Sequence, residues 1–438
     1  MELQTARGMK DIPPEELIIR NKLVNELIKI FESYGFNPLE TPMVERLDIL
    51  NAKFGAGSDS DVAKEIFRMK DQGERDLGLR FELTLSMCRY VAMNPNLKMP
   101  FKRYEIGRVY RDGPIKLGRS REFVQCDVDI VGARNMVADA ECLILALDAF
   151  EALGLDAYLE VNNRKLLNGI LEYAGVPETK RKSCMIVIDK LKKIGAKAVA
   201  SELQGIGIKD SSIEKLLTLF SVLRLDGDLF ENVDEFKKLV KSPEGIKGIE
   251  ELDDLFSYLS YEQRNKVKFN PFLARGLSYY TGTVFEGYMT KSDMTSSICG
   301  GGRYDEMIKM LMNSKEDVPA VGISFGLVPI MEALKLKGTD SKKTVTNLFV
   351  IPIGKTFSDS LSVASRLRKQ GLNVEVDLMS RPISKNLVYA SYYAIPFVLF
   401  VGENELKDGK LKLRNMVSGQ ESLVSLKNVE KEIKKIIK

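Results

Sequence analysis

Residues 101–132, FKRYEIGRVYRDGPIKLGRSREFVQCDVDIVG, decide how this 438-residue chain is read. Two runs rich in β-formers flank a loop of Gly, Pro and basic residues, a strand–loop–strand pattern. Alternate residues of a strand share a face. In the second run Val124, Cys126, Val128 and Ile130 make an apolar face, and Gln125, Asp127 and Asp129 lie on the other. A polar face of this kind ordinarily meets solvent. Here it leads into a loop bearing Arg111, Lys116, Arg119 and Arg121 against only Asp112 and Glu122. Guanidinium forks give bidentate contacts to phosphate and carboxylate. Set beside carboxylate and amide groups, they also suit a zwitterion joined to a polyphosphate. The pattern alone leaves both readings open.

Outward from this hairpin, residues 15–34 carry apolar positions at a helical period, with Pro13-Pro14 before them and Gly35 after, where a helix stop belongs. A second short helical stretch follows Thr41-Pro42. Residues 134–153 read as helix and 158–161 as strand. The span 164–262 is Lys- and Leu-rich and helical, with breaks at Gly205, Gly227 and Pro243, and reads as an inserted helical domain. Residues 263–335 return to strand, glycine-rich loop, strand and helix, and the polar run 337–343 reads as a linker. Beyond it, NLFVIPI, a helix at 357–370, NVEVDL, a helix near 384–392 and FVLFVG alternate as in a parallel α/β domain. The expected domains are 1–163 and 263–336 for a divided core, 164–262 for the insertion and 345–438 for the tail.

Composition narrows the chemistry. With 44% apolar and 29% charged residues the chain is neither fibrous nor largely disordered. It has no apolar run long enough to span a bilayer and no apolar leader in MELQTARGMKD, so a cytosolic, non-membrane protein is expected. Five scattered cysteines without a CxxC suggest reduced thiols. There is no histidine at all, which excludes a histidine base, a phosphohistidine relay and a His-ligated metal. The charge is uneven: residues 345–438 carry +6 and the other 344 carry −2. A basic tail fits an anionic partner, and it also fits ordinary surface lysine.

The central hairpin resembles motif 2 of class II aminoacyl-tRNA synthetases, and its wording is similar to that of the histidyl-tRNA synthetase family. Other stretches agree, in family order. RGMKD (7–11) resembles the family's N-terminal signature, and ETPMVE (40–45) resembles motif 1, whose proline lies at a dimer interface. LARGLSYYTGTVFE (273–286) and CGGGRYDEM (299–307) resemble its two histidine-specific segments, and AVGISFGL (320–327) resembles motif 3. The resemblance implies an α+β core, an antiparallel sheet flanked by helices, followed by an α/β anticodon-binding domain. It also implies a ligase that forms histidyl-adenylate from histidine and ATP with Mg²⁺ and passes histidine to its tRNA. A homodimer is expected.

By the same resemblance Arg111 and Arg275 grip the α-phosphate, and Arg111, Arg119, Arg121, Glu122, Arg275 and Gly326 bind ATP. Glu82, Thr84 and Gln125 hold the amino acid. Asp129 and Tyr280 read the imidazole, whose neutral ring offers one donor and one acceptor. Tyr279 either lines the pocket or packs beside it, and Arg303 anchors its loop. No protein ligand for a metal is indicated. Arg381 and Lys385, at a helix entry in the tail, are candidates for anticodon contact. Two positions depart from the family pattern. Ser278 replaces an aspartate in LARGLDYYTG, and Pro329 replaces the motif 3 arginine that packs on adenine. The alternative functions are a catalytically inactive paralogue, such as the regulatory subunit of ATP phosphoribosyltransferase, and a tRNA-sensing module. Retention of Arg111, Arg275 and a full tail favours the enzyme.

Overall fold

The computed structural model describes residues 2–52, 64–115, 120–222, 237–275, 279–290, 294, 296–336 and 343–437. The chain divides into two compact units, 1–10 with 23–338 and 11–22 with 339–438.

The larger unit is built on an eight-stranded sheet. In spatial order its strands are β1 (Asn37–Pro38), β5 (Phe101–Tyr110), β6 (Glu122–Val131), β11 (Ala320–Gly326), β10 (Cys299–Arg303), β9 (Thr283–Met289), β7 (Ala157–Asn163) and β8 (Val267–Phe269). The inner pairs are antiparallel, and only the two edge pairs, β1–β5 and β7–β8, are parallel. The hairpin reading of 101–132 thus becomes β5 and β6, two strands of ten residues paired along their whole length. The helix Val137–Ala152 buries most of its residues, including Leu143, Leu145 and Phe150, and turns a stripe through Val137, Glu141, Asp148 and Glu151 outward. A second sheet, β2 (Val44–Arg46), β4 (Asp76–Leu79) and β3 (Arg68–Lys70), was not legible in the sequence, because its strands are three or four residues long.

Within 164–262 the described residues are helical: Arg164–Tyr173, Glu178–Ile188, Leu191–Gly205, Asp210–Val222 and Pro243–Ser257. Gly205 closes a helix there, Pro243 opens one behind the Ser242 cap, and Gly227 lies outside the described residues. The helices Arg164–Tyr173 and Pro243–Ser257 approach through Gly169 and Gly245, where a Cβ on Gly169 would sit 2.8 Å from the Gly245 Cα.

The smaller unit has β13 (Val374–Val376), β12 (Leu348–Ile353), β14 (Phe397–Gly402), β15 (Lys410–Asn415) and β16 (Glu421–Ser425) in that spatial order. The first three are parallel, as the alternation predicts. The last two pair antiparallel, which corrects the wholly parallel expectation for this domain. The strand pattern read from the sequence ends at FVLFVG and includes neither LKLRN nor ESLVS. Leu411, Leu413 and Val424 nevertheless join the core beside Leu399 and Val401. All five cysteines are buried thiols. Among the described residues no helix is long and apolar enough to cross a membrane.

Candidate active site

Residues directly opposed in an antiparallel pair share a face. Arg103 on β5 opposes Asp129 on β6, which opposes Gly322 on β11. Glu105 opposes Asp127, which opposes Ser324, and Gly107 opposes Gln125, which opposes Gly326. The rows continue through Gly302 and Gly300 on β10 to Val284 and Glu286 on β9. Strand β6 therefore projects polar side chains, while β11 and β10 supply mostly glycine. The outcome is a floor of bare backbone bordered by charge.

A cavity of about 270 Å³ opens over this floor. It is lined by Glu82, Thr84, Arg111, Phe123, Gln125, Asp127, Asp129, Arg275, Tyr279, Tyr280 and Tyr304, with Gly300, Gly301, Gly322 and Gly326 beneath. The polar face of β6 is not a solvated one: Asp127 and Asp129 are 3% and 2% exposed.

The two arginines are held in different ways. The Arg111 guanidinium lies 4.3 Å from the Phe81 ring centroid and 4.8 Å from that of Phe123. Between two rings a planar cation keeps its orientation, with cation–π attraction of about 0.5–2 kcal/mol. Arg275 has φ of 51°, the left-handed region that a residue with a Cβ seldom occupies. Its Nη1 donates to the Phe285 carbonyl at 3.2 Å and lies 3.3 Å from Glu286. Its Nε is buried and has no hydrogen-bond partner among the described residues. Gly300 is glycine because of this side chain: a Cβ there would fall 1.5 Å from Arg275 Nη1.

Glu82 and Thr84 stand where the chain enters the helix Thr84–Met93, and both line the cavity. Gln125 donates from Nε2 to Ser324 Oγ at 3.0 Å, which leaves its buried Oε1 as an open acceptor. Asp129 receives the Tyr304 hydroxyl on Oδ1 and pairs through Oδ2 with Arg103 Nη2 at 2.7 Å. Burial pushes the Asp129 carboxyl up, opposed by the Arg103 charge and the Tyr304 hydroxyl. Burial likewise pushes the Asp127 carboxyl up to about 7, with Arg103 pulling the other way. Tyr279 lines the cavity and donates to the Tyr280 hydroxyl at 3.4 Å, and desolvation raises both phenols.

Of the residues expected from the sequence, the cavity gathers Glu82, Thr84, Arg111, Gln125, Asp129, Arg275, Tyr279, Tyr280 and Gly326. Arg121 does not line it. Its side chain pairs with Asp112 at 2.8 Å and donates to the Gly113 carbonyl, while its backbone N–H donates to the Gly8 carbonyl. Glu122 lies 3.6 Å from Arg108 and is not a lining residue either. Arg119 and Ser278 lie outside the described residues. Arg303 is buried against Asp139 and the carbonyls of Ala133 and Asn135, away from the cavity. Pro329 is the third residue of the helix Leu327–Leu336, where a backbone N–H has no intrahelical acceptor, so the helix tolerates it. Sequence reasoning did not select Asp127, Arg103 or Tyr304. The signal was present in the alternation Arg103, Glu105, Gly107, but only the hairpin register shows which residue each opposes.

A mostly antiparallel sheet that carries a cavity lined by two arginines and by carboxylates, in a chain that also has a separate α/β unit, defines a class II aminoacyl-tRNA synthetase. The chain belongs to the histidyl-tRNA synthetase family: the family model described as Histidyl-tRNA synthetase matches residues 8–330, and the Anticodon binding domain model matches 347–436. Histidine–tRNA ligase 2 of Shouchella clausii is 41% identical over 423 residues, covering 97% of this chain and 98% of its own. A histidine–tRNA ligase 1 of Bacillus cereus is 42% identical over 98% of this chain and 99% of its own. The crystal structure of histidyl-tRNA synthetase from Nostoc sp. PCC 7120 superposes with a TM-score of 0.85 at 30% identity, covering 99% of each chain. A protein described as an ATP phosphoribosyltransferase regulatory subunit/histidyl-tRNA synthetase from Bacillus halodurans C shares the fold, with a TM-score of 0.75 at 22% identity.

Proposed function

We propose that this protein is a histidine–tRNA ligase that activates histidine with ATP and then esterifies its tRNA. The observation that carries the reading is one cavity in which Arg111 and Arg275 meet the acceptors Glu82, Gln125 and Asp129 and the phenol of Tyr280. An inactive regulatory paralogue has no use for both guanidiniums, one fixed between rings and the other held in a strained backbone.

In the first step the histidine carboxylate attacks the α-phosphorus and pyrophosphate leaves. Two anions approach and charge builds on the equatorial oxygens. Arg111 and Arg275 stabilise that charge from fixed positions, without reorganising as it develops. Glu82, Thr84 and the open Oε1 of Gln125 hold the ammonium group, Asp129 accepts from the imidazole N–H, and the Tyr280 hydroxyl serves its other nitrogen. A site that pairs both ring nitrogens rejects amino acids that leave its polar groups unpaired. Gly326 lines the cavity on the ATP side, and the family resemblance alone carries Arg119, Arg121 and Glu122 to ATP, since neither Arg121 nor Glu122 borders this cavity. Mg²⁺ enters with the ATP phosphates. Among the described residues no group of three or more carboxylates or thiols could hold a metal, and when bound Mg²⁺ would supply charge neutralisation to the ATP phosphates.

In the second step the terminal ribose 3′-hydroxyl attacks the activated carbonyl. The carbonyl–phosphate bond breaks, AMP leaves, and an adenylate phosphate oxygen takes the hydroxyl proton, since the chain has no histidine to do so. A carboxylate variant that still forms adenylate but transfers nothing would overturn this assignment. The basic tail unit binds the anticodon arm, with Arg381 and Lys385 at the entry to the helix Ile383–Tyr392. Arg381 is steadied by Asp377 at 3.2 Å and stacks 4.3 Å from the Tyr389 ring. The protein works in the cytoplasm as a homodimer that joins through ETPMVE, where Met43 and Val44 are exposed. The test is histidine-dependent exchange between ATP and pyrophosphate, followed by charging of histidine tRNA. No exchange would leave the regulatory reading standing.

A further inference from the structure

Beneath the cavity lies a buried ionic group that does not itself border the open space. Arg103 is 0% exposed and lies directly across the β5–β6 pair from Asp129. Its guanidinium is held by ion pairs, at 2.7 Å to Asp129 and 3.8 Å to Glu105. Glu105 is itself anchored: it accepts from Arg80 Nη1 at 2.8 Å and from the Thr41 backbone N–H at 3.0 Å. Arg80 also donates to the Thr41 carbonyl at 2.8 Å and, through Nε, to the Arg108 carbonyl at 2.8 Å. A chain of fixed contacts therefore runs from Thr41 through Glu105 to Arg103 and ends on Asp129. Burial pulls the Arg103 guanidinium down, and the charges of Asp129, Asp127 and Glu105 around it more than offset that pull. On the opposite side of Asp129, Gly322 leaves no slack, since a Cβ there would fall 2.0 Å from Oδ1.

We propose that Arg103 is a positioning residue for imidazole recognition, which acts by holding the Asp129 carboxylate in the orientation that accepts from the ring. Arg103 does not border the cavity, so it reaches the substrate only through Asp129. The physical need is specific. A lone carboxylate buried at 2% exposure tends to protonate or rotate, and either change weakens its acceptance from an N–H. Two contacts on its two oxygens, a hydrogen bond from Tyr304 on Oδ1 and the ion pair with Arg103 on Oδ2, oppose both protonation and rotation of the carboxylate. The inference rests on the proposed role of Asp129 as imidazole acceptor.

The test is a double-mutant cycle in full-length enzyme, read by ATP–pyrophosphate exchange with histidine and ATP varied separately. Asp129→Asn is expected to raise the KM for histidine at least tenfold and to leave the KM for ATP unchanged. Arg103→Lys keeps the charge but loses the fork. It is expected to raise the KM for histidine about tenfold in the parent, with the KM for ATP unchanged, and to add nothing on the Asp129→Asn background. If Arg103→Lys does not fold, Arg103→Met/Asp129→Asn removes both charges together, and its KM for histidine should equal that of Asp129→Asn. If Asp129→Asn raises the KM and Arg103→Lys leaves it unchanged, the positioning role is wrong while the reading of the site stands. If Arg103→Lys weakens histidine and ATP alike, or its effect adds fully to that of Asp129→Asn, its role is structural and the inference falls. If Asp129→Asn itself leaves the KM for histidine unchanged, the reading of the site fails first.

Discussion

Gly300→Ala separates the chemistry of this site from its stability. Gly300 sits in strand β10 without a positive φ, so its backbone accepts alanine, and Gly→Ala at a compatible site stabilises by about 0.4–1 kcal/mol through the unfolded chain. The added methyl would fall 1.5 Å from Arg275 Nη1 and 2.7 Å from its Cζ, where ordinary contact begins at 3.4 Å. The guanidinium must therefore retreat by about 2 Å, and even about 1 Å of misplacement can cost a hundredfold. It is the far end of a flexible side chain, so the retreat costs the fold little. Loss of one fixed group that stabilises developing charge costs about 10²–10³ in rate, or about 2.7–4 kcal/mol. Gly300→Ala is expected to lower kcat for histidine-dependent exchange by about 10²–10³, with the melting temperature held within a few degrees. Exchange within about threefold of the parent, at equal melting temperature, would show that Arg275 does not stabilise the reaction from its observed place.

Other perturbations have equally definite outcomes. Asp127 titrates near 7 in the folded protein, well above its ordinary value. The folded state thus holds this proton more tightly than the unfolded state. The stabilisation is complete at acidic pH and is lost as pH rises through about 7. Thermal melts from acid to mildly alkaline pH should show the parent losing stability relative to Asp127→Asn over that interval, and parallel curves would contradict it. Tyr280→Phe should raise the KM for histidine by about ten- to a hundredfold and leave the KM for ATP unchanged, because one ring nitrogen loses its partner. Pro329→Arg restores a cation worth about 0.5–2 kcal/mol over an aromatic base, so the KM for ATP should fall about two- to thirtyfold. An unchanged KM would mean that another group already covers the adenine. Arg80→Ala strips Glu105 of its 2.8 Å partner deep in the sheet and should destabilise the fold by about 3–5 kcal/mol, measured by denaturant unfolding.

The sequence by itself determined the family, the hairpin, the glycine-rich strand and most of the cavity wall. Those features are local: strand alternation assigns Gln125, Asp127 and Asp129 to one face, and CGGGRYDEM or LARGLSYYTG specify their chemistry within a dozen residues. It did not determine that this face is buried, because burial depends on what the neighbouring strands bring. Only the tertiary structure set Arg103 and Gly322 on either side of Asp129, and brought Thr41 to Glu105 across 64 positions of chain. It also removed Arg121 from the cavity by pairing it with Asp112, a competition that charge counting cannot resolve. The antiparallel strands β15 and β16 were missed although KLKLRN alternates as a strand does, and only the pairing with β14 and with each other shows that they run antiparallel. Short-range pattern records what each residue can offer, and long-range pairing decides to which partner it is offered.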